Sequence, residues 1–106
     1  MTRIEIGLQG EDIVSLTASG HALFAPSGKD LVCAAVSSIL TGALNALDEE
    51  YREQTELVLN PKTNRISIQV LCSDSSLQSC LRFLHNQLKT VQERYPKHIR
   101  IDRKEV

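Results

Sequence analysis

The chain has 106 residues, enough for one domain (1–106) with its own core and too few for two. Its formal net charge of −1 excludes the strongly basic surface of a general nucleic-acid binder. With no Trp, two Phe and two Tyr, the core has to be aliphatic.

Thr2 to Leu8 alternates polar and apolar residues and predicts a strand rather than a signal peptide. Gly10 sits in a polar turn, and Ile13 to Ala18 predicts the returning strand of a hairpin. Ser19 and Gly20 end that strand and leave His21 at its tip. Pro26 and Gly28 make Ala22 to Lys29 a loop. Leu23 and Phe24 are large apolar residues in that loop, and they either tuck onto the core or contact a partner or substrate.

Asp30 can cap a helix that runs to about Glu53. Val32, Ala35, Val36, Ile39, Ala43 and Leu47 form its broad apolar face, widened by Leu40 and Leu44. This predicts that the early half of the helix is buried on more than one side, and that Gly42 has a packing reason to be there. Thr55 to Leu59 and Arg65 to Cys72 predict a second hairpin around Asn60-Pro61. Leu77, Leu81, Leu84, Leu88 and Val91 give a narrow stripe on a second helix, capped from Ser73 to Ser76 and ended before Pro96. A short strand from His98 to Arg103 closes a β-β-α-β-β-α-β order. The fold class this implies is α+β, a two-layer sandwich with a mixed sheet and two helices.

No run is expected to reach the length of a membrane span, and no membrane partner is expected. The odd cysteine count (Cys33, Cys72, Cys80) without a signal-like start fits a reducing cytoplasm.

Cys33 falls in the first turn of the first predicted helix. The helix dipole and first-turn N–H groups stabilise an anion at such a position, which lowers a thiol's pKa. An imidazolium at His21 would lower it further, and the Asp30 carboxylate would oppose this. Ser37 lies one turn beyond Cys33 on the same face, and Gly20 lets the backbone approach closely beside His21. These are the parts of a Cys–His acyl-transfer site. The plainer alternative is that Cys33 is a small buried hydrophobe and His21 a surface residue.

Cys72 and Cys80 are expected to be structural, and His85 and His98 solvated. A zinc site from His21, Cys33, Cys72 and Cys80 lacks the close-spaced ligand pair that would support it, so neither a metal nor another cofactor is expected. Asp48, Glu49, Glu50, Glu53 and Glu56 gather around Arg52 and make either a solvated face or a patch that steers a basic substrate.

The run Gly20-His21-Ala22, followed by Gly28-Lys29-Asp30-Leu31-Val32-Cys33-Ala34-Ala35-Val36-Ser37, closely resembles the bacterial ribosomal-processing cysteine proteases of the Prp family. Outside this stretch the likeness is one of length and element order. The resemblance implies a cytoplasmic homodimer that removes an N-terminal extension from large-subunit ribosomal protein L twenty-seven, cleaving after a hydrophobic stretch ending in Phe. It implies His21 as general base and Cys33 as nucleophile, with Gly20, Asp30 and Ser37 in support. Leu23 and Phe24 become candidate substrate contacts in a loop that can act as a lid. No direct nucleic-acid partner is expected. The rival function is a non-catalytic ribosome-associated binding module with Cys33 in its core.

Overall fold

The computed structural model describes residues 1–20 and 31–106. Strand β1 (Thr2–Gln9) turns through two residues into β2 (Asp12–Gly20), and the two pair antiparallel. Gly10 holds a φ of 61° in that turn, where a side chain would be strained. Helix α1 (Leu31–Glu50) is followed by the hairpin of β3 (Thr55–Asn60) and β4 (Arg65–Val70). Helix α2 (Ser75–Arg94) then leads to β5 (Ile99–Glu105). The β-β-α-β-β-α-β order and the mixed sheet are as the sequence predicts.

The five strands lie in the order β3-β4-β2-β1-β5. β5 pairs parallel with β1, and the other neighbours pair antiparallel. β4 and β5 therefore point the same way, and a parallel return needs a long crossover, which α2 supplies. Alternation along the strands sends Ile4, Ile6, Leu16, Ala18, Ile66, Ile68, Ile99 and Ile101 into one core with the helices. Arg3, Glu5, Gln69, Arg100 and Asp102 stay exposed. Among the described residues no aromatic ring is fully buried in the core, and Phe83 is 69% exposed.

Helix α2 follows its predicted stripe: Leu77, Leu81, Leu84 and Leu88 are buried, and Val91 packs at the margin. Asp74 caps it by accepting from the Leu77 N–H at 2.8 Å. Helix α1 departs from expectation. Its buried residues, Val32, Cys33, Val36, Leu40, Leu44 and Leu47, form one stripe, with Ile39 and Ala43 half-buried on its flank. Ala34, Ser38, Thr41, Gly42, Asn45 and Ala46 are exposed, so the early half is buried on one side only. Among the described residues nothing packs against Gly42, because a Cβ built there meets nothing within 4 Å.

The expectation about membrane length also needs correction. α1 has 20 residues and a window of mean hydropathy 1.6, long and apolar enough to cross a membrane by length and composition. Its large apolar residues from Val32 to Leu47 belong to the core cluster instead. The outward face owes its apolarity to small side chains.

One buried polar residue ties the layers together. Gln78 is 4% exposed, and its amide both accepts from the Ile13 N–H and donates to the Ile13 carbonyl, each at 2.8 Å. Pairing between β2 and β4 covers only Ser15 to Ser19 on β2, so the Gln78 amide takes over the strand's backbone groups beyond the end of β4. Gln78→Ala leaves both Ile13 groups buried without partners. The expected cost is about 2–4 kcal/mol, with a melting temperature lowered by roughly 10 °C or more. Thermal and urea unfolding would measure it, and a change well under 1 kcal/mol would mean that water replaces the amide.

Candidate active site

The end of the sheet at which β2 finishes sets the site. Gly20 is the last residue of β2 and stands opposite Thr2. Its φ is +128°, and a Cβ built on it would lie 2.4 Å from the Met1 carbonyl oxygen and 2.9 Å from the Thr2 Cα. Only glycine fits there without strain. Thr2 is buried, and its N–H donates to the His98 carbonyl at 3.0 Å, which anchors the strand that Gly20 approaches. Gly20 thus ends β2 in a backbone conformation that a side chain at this position would strain.

Helix α1 brings Cys33 to the same end. Its last turn reaches Tyr51, whose carbonyl accepts from Thr55 Oγ1 at the start of β3. Twenty residues of helix span about 30 Å, so the first turn lies toward the opposite end of β3, where Asn60 pairs with Arg65. Ser19 of β2 pairs with Arg65 at that end too. Cys33 is the third residue of α1, in the turn whose N–H groups α-helical bonding does not use. It is 6% exposed. Ser37 is half-buried one turn further along the same face. Of the predicted site residues, Gly20, Cys33 and Ser37 are placed, while His21, Leu23, Phe24 and Asp30 lie outside the described residues, as does the predicted loop.

The remaining candidates fall elsewhere. Cys72 and Cys80 are exposed rather than buried structural residues. Cys80 lies 3.5 Å from the Tyr51 hydroxyl, which also bonds Ser76 Oγ and ties the end of α1 to the start of α2. His98 is exposed, but His85 is not simply solvated. It is half-buried, and the Arg103 guanidinium donates to its Nε2 at 2.7 and 3.1 Å. Arginine only donates, so the ring is neutral with its proton on Nδ1. Burial, then the charges of Arg103 and Lys89, hold its pKa below the ordinary value. Asp48, Glu49, Glu50 and Glu53 are exposed, with Asp48 paired to Arg52 at 3.3 Å on the open surface. Among the described residues no group of three or more His, Cys, Asp and Glu could hold a metal ion.

Sequence reasoning assigned no role to the last residues of β3. Leu59 is 53% exposed and Val58 47% exposed, and both lie toward the sheet end that Cys33 approaches. Their signal was available: an apolar Leu-Val-Leu run leading directly into the Asn60-Pro61 turn.

A thiol in the first turn of a core helix that runs toward the sheet end closed by an obligatory glycine is an arrangement suited to cysteine-nucleophile chemistry. The sequence profile of the family described as cysteine protease Prp matches residues 1–100. The chain therefore belongs to the Prp family of ribosomal-processing cysteine proteases. It is 40% identical over 84 residues to the ribosomal processing cysteine protease Prp of Mycoplasma pneumoniae, covering 79% of this chain and 81% of that one. The corresponding protein of Mycoplasma genitalium is 37% identical over 87 residues, covering 82% and 85%. Among solved structures, the essential ribosomal processing protease Prp of Staphylococcus aureus, in complex with a covalently linked product peptide, superposes with a TM-score of 0.86. That match has 25% identity and covers 98% of this chain and 100% of that one.

Proposed function

We propose that this protein is a cysteine endopeptidase that removes the N-terminal extension of large-subunit ribosomal protein L twenty-seven, with Cys33 as nucleophile and His21 as general base. The observation that carries the reading is the position of Cys33 in the first turn of α1, in a chain of the Prp family. His21 takes the Cys33 proton or holds the thiolate as an ion pair. The thiolate attacks the scissile carbonyl, and N–H groups of the first turn of α1 receive the oxyanion. The imidazolium then protonates the leaving amine, and water hydrolyses the thioester and frees the enzyme. Ser37 and Asp30 support the dyad, and Gly20 aims His21. Leu23 and Phe24 contact the hydrophobic stretch that precedes the cut. The working form is a cytoplasmic homodimer that acts on the precursor without contacting nucleic acid directly.

The burial of Cys33 is what the rival binding-module reading would cite, since a buried cysteine in an apolar helix is commonly inert. The test is incubation of the full-length ribosomal precursor with wild type and with His21→Ala under reducing conditions. Wild type is expected to release the extension at one position, and His21→Ala to be slower by about 10²–10⁴-fold. Intact precursor after long incubation with wild type, across several precursor sequences, would sink the protease reading. Alkylation gives a second readout: Cys33 is expected to react faster at neutral pH than the exposed Cys72 and Cys80.

A further inference from the structure

The two edges of the sheet are built differently. β5 presents Arg100, Asp102, Arg103, Lys104 and Glu105, the charged composition that keeps an edge from pairing with other chains. β3, the opposite edge, presents Leu57, Val58 and Leu59. Its one partner among the described strands is β4, so alternate N–H and C=O groups on its other side point away from the sheet.

The cover over β3 also thins in one direction. Thr55, Leu57 and Leu59 stand opposite Val70, Ile68 and Ile66 and so share the helix-facing side of the sheet. Thr55 is buried, Leu57 is half-buried and Leu59 is 53% exposed. Among the described residues, cover on the helix-facing side of β3 therefore thins from Thr55 to Leu59. Leu31 in the first turn of α1 is also 69% exposed. Among the described residues, a strand edge with no second partner and an apolar shelf thus lies on the side of the molecule toward which the first turn of α1 runs.

We propose that the outer edge of β3 binds an extended apolar segment of the substrate as an added strand, with Leu59 and Leu57 as the side chains that select it. This rests on the protease reading for the identity of the occupant. Main-chain hydrogen bonds along β3 would give affinity and register, and every second side chain of the peptide would meet the leucine shelf. The S. aureus relative, whose fold superposes on this one, holds a covalently linked peptide, which favours a peptide over a second copy of this chain as the occupant.

The experiment uses Cys33→Ala, so that nothing is turned over, and a short synthetic peptide carrying an apolar stretch ending in Phe. The peptide is expected to slow hydrogen exchange at alternate N–H groups of β3. Leu59→Lys on the same background is expected to weaken binding by at least about tenfold, with an unchanged melting temperature because the side chain is exposed. Leu59→Met should bind like the parent. No binding, protection on β5 instead, or equal affinity of Leu59→Lys would overturn the proposal. So would β3 protection that grows with protein concentration in the absence of peptide, since a second copy would then be the partner. Binding to the inert variant is read apart from cleavage by wild type, so either reading can fail without the other.

Discussion

Cys33→Ala is expected to abolish cleavage of the ribosomal precursor, with a loss of at least about 10³–10⁴-fold in turnover, while the protein stays folded. The two halves of this result have separate causes. Cys33 is the third residue of α1 and faces inward at 6% exposure, so the substitution removes one buried sulfur from an otherwise aliphatic helix face. A deletion of that size costs on the order of 1 kcal/mol in a packed core. Val32, Val36 and Leu40 keep α1 seated on the sheet. No other cysteine can substitute, because Cys72 follows β4 and Cys80 lies inside α2, neither in the first turn of a helix. Initial cleavage rates and thermal unfolding, measured on one preparation, separate the effects. Residual activity above a few per cent, with the fold intact, would move the nucleophile elsewhere.

Gly20→Ala is the second large effect, and it acts through position rather than chemistry. At a φ of +128° an alanine is strained by about 1–3 kcal/mol. Its Cβ would also press on the Met1 carbonyl oxygen at 2.4 Å and the Thr2 Cα at 2.9 Å, both backbone atoms. The Thr2 N–H is bonded to the His98 carbonyl, so β1 cannot retreat without breaking its link to the start of β5. The chain has to turn differently after Ser19, and on the proposed mechanism this would misplace the general base. The expected result is a stability loss of about 2–4 kcal/mol together with a fall in kcat larger than the unfolded fraction explains. The distinguishing readout is the pH profile of Cys33 alkylation. If Gly20 holds His21 against the thiol, the profile of the variant shifts toward that of an ordinary thiol. An unchanged profile with reduced stability would make Gly20 a structural residue only.

The sequence carries the element order with little ambiguity, because most strands alternate with a period of two and α2 has a narrow apolar stripe. Pro96 and the Asn60-Pro61 turn mark where elements stop, and Asp74 marks where α2 starts. Departures from expectation occur at His85, and on α1, where a run of Ala, Ser, Gly and Val is compatible with burial on any side. Hydropathy cannot tell a small residue that packs from a small residue that is merely small, so burial of the outer face of α1 is not legible in it. Gln78 carries no mark in the sequence of the role it plays. Its partner Ile13 is 65 residues away, and nothing local signals that contact.

By itself, the chain's order of residues determined that a cysteine opens a long helix, that a strand ends at a glycine before it, and that the core is aliphatic. Those are local properties, set by period, capping chemistry and the absence of large rings. The tertiary structure alone decided which ends of the elements meet. The pairing of β2 with β4 and of β3 with β4, and the run of α1 back from Thr55, bring the first turn of α1 and the last residues of β3 toward the end of the sheet that Gly20 closes. Contacts of that kind depend on register and layer packing across distant segments, which no single stretch of sequence encodes.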